Sequence, residues 1–409
     1  MSDPPPVTST VSPASTTDPG GVVPTVPARA YLDHASTSPL LPAARSAMRA
    51  WLDGDDTANG AGVGAVHGEP SRLHHDGATS RVALETARDQ VAEAVGARPR
   101  EVVFTSGATE SIAAASFGAR ARADGDHVVL AAVEHSAVRE WAERGPHTVV
   151  GVDGTGRVDA DDLLAAVRDD TALVHVQWGN HEVGTLQPVA EVVAACRDRG
   201  VLVHVDAAQA AGRERIGFDD IGADLMSISG HKFGGPDGTG VLLVRRGIRI
   251  PPLMVGGDQE RARRAGMEHL LGAIGLGAAA EQATGSLDDT RARLLAHTRR
   301  IRDWAALAED VEVLGAPADA ALPHLVCVGI ADVEPQPVLL ALDGRGISVH
   351  SGSSCASEAL EPSPVLEAMG VDAHRSLRIS PGWSTTDDDV DRLLRGLDDV
   401  LAELRSLRP

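Results

Sequence analysis

The chain runs to 409 residues, enough for two domains or for one large domain with an appendage. Its formal net charge of -21 argues against direct nucleic-acid binding, which normally needs a basic stripe. Aromatic residues make up 2 % and the cysteines (Cys196, Cys327, Cys355) form no CxxC pair, so an aliphatic core in a reducing cytoplasm is expected, without zinc-ribbon, iron–sulfur or disulfide frameworks.

Residues 1–28 are rich in Pro, Ser, Thr and Asp and lack an apolar core. That is the composition of a disordered tail, and neither a secretory nor a transit segment. Further on, the Val/Leu-rich runs 101–105, 127–133, 172–177, 201–206, 224–229 and 240–245 predict strands buried on both faces. Helical patterns such as 85–95, 161–168 and 189–199 lie between them. The alternation predicts an α/β domain with a mostly parallel sheet. The apolar stretch 270–280 is too short and glycine-rich to span a bilayer, so no membrane partner is expected. After residue 290 the spacing predicts a long charged helix (291–309), shorter strands and a terminal amphipathic helix from Asp387, a smaller α+β domain. The expected division is a tail (1–28), a segment joining the small domain (29–43), a large domain (44–290) and a small domain (291–409).

Ligands of open α/β sheets bind beyond the carboxyl ends of the strands, and the unusual polar residues cluster there. After the first strand, Ser106-Gly107-Ala108-Thr109-Glu110-Ser111 opens a helix whose free N–H groups and Thr109 hydroxyl suit a phosphate; a capping box accounts for it equally. Neither a Walker GK[ST] nor a GxGxxG pattern occurs there. Next, Glu134-His135-Ser136 offers a histidine for stacking on a flat ring or for proton transfer, or simply a structural one. The loop Trp178-Gly179-Asn180-His181-Glu182-Val183-Gly184 is polar without a unique chemical reading. The strand 201–206 closes on Asp206, with Gln209 three residues on. A carboxylate there wants a cation, such as the protonated pyridine nitrogen of pyridoxal phosphate (PLP). A metal held by His204 and Asp206, which share one strand face, lacks a third ligand.

Ser229-Gly230-His231-Lys232 places a lysine at the mouth of a buried strand, ahead of the loop Phe233-Gly234-Gly235-Pro236-Asp237-Gly238. Such an amine can form a Schiff base with an aldehyde cofactor; an isolated GHK tripeptide reads better as a surface turn, so the rest of the chain has to carry the first reading. Downstream, His350-Ser351-Gly352-Ser353-Ser354-Cys355-Ala356-Ser357 carries a thiol on a Gly/Ser loop, suited to a nucleophile that moves between two partners. Arg378 alternates with apolar neighbours and wants a carboxylate, from the protein or from a substrate.

Taken in order from Tyr31-Leu32-Asp33-His34-Ala35-Ser36-Thr37 to the C-terminal helix, these motifs resemble the cysteine desulfurases. These are PLP enzymes of the class V aminotransferase fold, with a fold type I large domain on a mostly parallel mixed sheet and a smaller α+β domain. The resemblance implies that Lys232 holds PLP and moves the α-proton. It implies that His135 stacks on the ring, Asp206 meets its nitrogen and Gln209 its oxygen. Ala108, Thr109, Ser229 and His231 would hold the phosphate, and Asn180 and Arg378 the substrate carboxylate. L-cysteine would yield alanine and a persulfide on Cys355, destined for a protein acceptor or scaffold. The family is dimeric, and no metal is implied. The sequence departs from the family pattern at Asn180-His181, where paired asparagines are usual, and at Pro381-Gly382-Trp383. In Arg264-Ala265-Gly266-Met267, Met267 replaces a Thr that reaches the neighbouring subunit's phosphate. An alternative is another class V reaction, such as an aminotransferase or a C–S or C–Se lyase, with Cys355 incidental. A scaffold that has lost its chemistry is a third.

Overall fold

The Val- and Leu-rich runs fold into strands because β-branched and aliphatic side chains pack on both faces of a pleated sheet. A computed structural model describes residues 29–54, 68–351 and 362–407. Its strands are β1 (Ala30–Tyr31), β2 (Val102–Thr105), β3 (His127–Ala131), β4 (His147–Val150), β5 (Thr171–Gln177), β6 (Leu202–Asp206), β7 (Leu225–Ser229), β8 (Gly240–Val244), β9 (Val311–Leu314), β10 (Val326–Ile330), β11 (Ile347–Ser348) and β12 (Ser376–Ile379). The main sheet has the order β2-β8-β7-β6-β5-β3-β4. Only β8 runs antiparallel to its neighbours, so the carboxyl ends of the other six strands share one edge.

Alternate residues serve opposite faces. Leu173, Leu202 and Leu225 join Ile112 and Ala115 of the helix Ala108–Arg122 in one core cluster, whereas Val174, Val203 and Met226 join the larger one. The sheet is thus covered on both sides, as the unbroken apolar runs require. Expected and observed strands agree to within two residues. Within the main sheet the exception is β4, an edge strand of His147-Thr148-Val149-Val150 in which only Val150 is buried, so its apolar run is too short to mark a strand.

The helix expected over 85–95 begins ten residues earlier, as His75–Ala94, where the His74 ring accepts the Gly77 N–H at 3.2 Å. The stretch 270–280 lies in the helix Leu270–Gly285, buried against two others. A Cβ on Gly277 would lie 2.8 Å from the Ala87 Cα, so glycine there permits helix contact at backbone distance. None of the described helices is long and apolar enough to cross a membrane.

A second core gathers Ala30 and Leu32 with Val326, Val328, Leu377, Ile379, Leu393, Leu397 and Val400. Here β1 pairs in parallel with β11, and β12-β10-β9 form an antiparallel sheet. The last helix, Asp387–Ser406, starts where expected, with Thr386 and Asp389 closing a capping box. The long charged helix is Leu287–Leu307. Residues 1–28 and the cysteine-bearing segment 352–361, Cys355 included, lie outside the described residues.

Candidate active site

At the carboxyl edge of the main sheet the strand ends enclose a cavity of about 530 Å³. Ala108, Thr109, His135, Asp206, Gln209, Ser229, His231, Lys232 and Arg378 all line it, although they come from widely separated stretches of the chain. Ser36, Gln177 and His181 line it as well.

Lys232 ends the short turn Gly230–Lys232 after β7. Its Nζ donates to the carbonyl oxygens of Ala35 (2.8 Å) and Ser36 (2.9 Å). Burial, then the charges of Arg378 and Arg213, pull its pKa from 10.5 to about 7, against the opposing pull of Asp33 and Asp206. Half or more of this amine is therefore uncharged above pH 7. It is also the only lysine in the chain: the other 36 of the 37 Lys and Arg residues are arginine. That count was legible in the sequence and singles out Lys232 more sharply than its glycine-rich surroundings do.

Asp206, the last residue of β6, is 8 % exposed. One of its oxygens accepts the Ala208 N–H at 3.0 Å. No arginine or lysine forms an ion pair with it among the described residues, so a buried carboxylate faces the cavity without a counter-cation. Such a group calls for a bound cation or a strong donor. His204, on the same strand face, turns instead to His175 (Nδ1 to Nδ1, 2.9 Å) and to the Ser227 hydroxyl (2.7 Å from Nε2). Both of its nitrogens are engaged, so the His204–Asp206 metal pairing is not formed. No cluster of three or more potential metal ligands occurs among the described residues.

His135 caps the helix Ser136–Ala142, its Nδ1 accepting the Ala137 N–H at 3.1 Å. The neutral ring thus carries its proton on Nε2. Burial lowers its pKa. Its ring meets that of His181 edge to face, 5.1 Å between centroids and 67° between planes. Burial keeps His231 neutral too, at about 4, and its Nδ1 lies 3.2 Å from the Thr37 hydroxyl.

The helix Ala108–Arg122 points its N-terminus, with Ala108 and Thr109, at the cavity. Uncapped N–H groups and the helix dipole favour an anion there. Glu110 does not cancel this, because Arg264 pairs with it at 2.9 Å while its other oxygen accepts the Ser106 N–H at 2.8 Å. On β8, a Cβ at Gly240 would lie 2.5 Å from the Gly107 Cα. Glycine at 240 therefore lets the helix start approach the sheet.

Arg378, on β12, is 1 % exposed and binds Asp33 (3.0 Å), the Ser36 hydroxyl (2.6 Å) and the His181 carbonyl (2.9 Å). The first carboxylate it meets is thus the protein's own, while its buried Nε lacks a hydrogen-bond acceptor. Asn180 is not among the residues that line the cavity: its Oδ1 accepts the Glu182 and Val183 N–H groups (both 2.8 Å), and its Nδ2 donates to the Val133 carbonyl (3.2 Å). The Asn180 carbonyl oxygen holds its own loop, its amide nitrogen keeps one further proton, and the neighbouring His181 lines the cavity. Gln209 lines the cavity but already accepts from Arg213 (2.9 Å) and donates to the Ala35 carbonyl (2.9 Å), leaving its second amide proton.

A profile of the family described as Aminotransferase class-V matches residues 30–393. The chain is 38 % identical to a cysteine desulfurase IscS of Dictyoglomus turgidum, over 93 % of this chain and 96 % of the relative. It is 39 % identical to an IscS-like cysteine desulfurase of Mycobacterium tuberculosis, over 92 % and 97 %. Among solved structures, a NifS-like protein superposes with a TM-score of 0.82 at 29 % identity, covering 91 % of this chain and 99 % of that one. A structure titled SspA in complex with cysteine gives 0.71 at 28 % identity, covering 86 % and 98 %.

Proposed function

The chain belongs to the class-V aminotransferase family, and we propose that it is a PLP-dependent cysteine desulfurase. It takes the sulfur of L-cysteine, releases L-alanine and leaves a persulfide on Cys355 for a protein acceptor. The observation that carries this reading is one cavity lined by the chain's sole lysine, with its pKa near 7, and by a buried aspartate without a counter-cation. Its relatives named cysteine desulfurase, and the solved relative holding cysteine, support the substrate.

The residues present fit the cofactor. Lys232 would hold its aldehyde carbon, His135 would lie against the ring, and Asp206 would take the ring nitrogen. The spare amide proton of Gln209 would meet the ring oxygen. Ala108, Thr109, Ser229 and His231 would hold the phosphate. When bound, PLP supplies an electron sink for the carbanion formed at the substrate Cα.

The remaining chemistry belongs to the protein. Lys232, once displaced by the substrate amine, takes the proton from Cα. Arg378 orients the substrate carboxylate, drawing on the cation it shares with Asp33. The Cys355 thiolate attacks the substrate sulfur, so one C–S bond breaks and one S–S bond forms. L-cysteine and the Cys355 thiol become L-alanine and the Cys355 persulfide, and no external oxidant is needed.

The proposal includes a large domain (44–290), a small domain (291–409) joined by residues 29–43, a homodimer and a cytoplasmic setting. Met267, 64 % exposed, offers no hydrogen-bond donor to a neighbouring subunit.

The deciding experiment incubates the protein with L-cysteine and a thiol reductant, then measures alanine and sulfide. Cys355→Ala is expected to lose about 10²-fold or more of both. Sulfide release that survives this change would assign the chain to another class V reaction. A second variant tests the phosphate cradle. Gly240→Ala pushes against Gly107 and is expected to weaken cofactor retention roughly tenfold, about 1.4 kcal/mol, read as PLP remaining after dialysis.

A further inference from the structure

Arg213 is 4 % exposed and both of its terminal nitrogens are hydrogen-bonded, yet no carboxylate pairs with it among the described residues. Its Nη1 donates to Gln209 Oε1 (2.9 Å) and His324 Nε2 (2.6 Å). Its Nη2 donates to the His34 carbonyl (2.7 Å), the Ser38 hydroxyl (3.3 Å) and the Lys232 carbonyl. A guanidinium has only donors, so His324 accepts at Nε2 and its proton sits on Nδ1. Burial, then Arg378, draws the Arg213 pKa down to about 9, which leaves it charged at neutral pH.

We propose that Arg213 is the positioning residue of Lys232: it clamps the backbone carrying the reactive amine and sets an uncancelled positive charge beside it. The proposal deepens the functional reading and rests on Lys232 being the reactive amine. Every charged or titratable group facing that amine bears on it. From β12 comes Arg378, already paired with Asp33 at 3.0 Å; from β6 comes Asp206. His135, His231 and His324 all have pKa values lowered first by burial and are neutral near pH 7. With Arg378 offset by Asp33, Arg213 is the cation without a carboxylate of its own. It adds to burial and to Arg378, the larger influences, in disfavouring the protonated form of Lys232.

The test reads the amine directly. The full-length chain, stripped of cofactor, is acetylated across a pH series, and Lys232 modification is quantified by peptide mass. The single lysine makes the signal unambiguous. Wild type is expected to reach half its maximal labelling rate near pH 7; a midpoint above about 9, close to a free lysine, overturns the proposal without any variant. Arg213→Met should raise the midpoint by about one unit, a roughly tenfold drop in free amine below it. His324→Glu, which leaves the guanidinium in place and gives it a carboxylate, should raise it similarly. Cooperative melting identifies variants that remain folded, and an unmoved midpoint in a folded variant overturns the proposal. Failure of the PLP assignment would leave these profiles unchanged, because no cofactor is present.

Discussion

Lys232→Ala is expected to reduce L-cysteine desulfuration to background, a loss of roughly 10⁴-fold or more. Two roles vanish together: the covalent hold on the cofactor and the base that moves the Cα proton. No other lysine exists to substitute, and the 36 arginines stay protonated at working pH. The seats for ring nitrogen and phosphate, Asp206 and the start of the helix Ala108–Arg122, are untouched by the change. The variant should therefore still take up PLP, but none of it should become attached on borohydride reduction. Mass spectrometry after reduction separates the cases: wild type gains the cofactor mass on the Lys232 peptide and the variant gains nothing. Desulfuration at the wild-type rate in Lys232→Ala would sink the assignment.

Arg88→Met is expected to destabilise the protein by about 3–5 kcal/mol, through a charge left alone in the interior. The Arg88 guanidinium grips both oxygens of Glu260 (2.7 and 2.8 Å), donates to the Val102 carbonyl (3.0 Å) and lies 4.8 Å over the Phe104 ring. Glu260 also accepts the Phe104 N–H at 3.0 Å. Its backbone sits in the left-handed region, with φ values of 48°, 59° and 59° over Glu260, Arg261 and Ala262, so the ion pair holds strained chain in place. Urea unfolding should show the midpoint falling in Arg88→Met. The double variant Arg88→Met/Glu260→Met should recover most of the loss, because replacing both partners removes the uncompensated charge. The same segment presents Arg264 to Glu110, so the single variant should also loosen the Ser106 turn at the cavity.

Most of the sheet and most of the site were legible in the sequence, for separate reasons. Strands buried on both faces announce themselves as unbroken apolar runs, as from Val241 to Val244. The half-exposed edge strand β4 does not. The first half of the helix His75–Ala94 stayed hidden because it opens on histidine, aspartate and glycine without an apolar stripe. In the site, Asp206 could be found because it breaks the logic of the strand it ends, and Lys232 because it stands just beyond the end of a buried strand. Asn180 and His181 are neighbours in one polar loop, and only the folded loop decides which turns inward. Arg213 left no sequence signal at all. Its importance comes from His34, Ser38, Gln209, Lys232 and His324 converging on it from four stretches of chain.

A surface whose cations are all guanidinium groups is quiet toward alkali. A solvated guanidinium keeps its proton throughout the alkaline range, so moving from neutral to moderately basic buffer strips almost no positive charge from the exterior. Most proteins lose lysine charge as they approach pH 10, and their ion pairs loosen while the interior titrates. Here the outer electrostatics stay level. A rate profile taken through that window therefore reports the few groups inside.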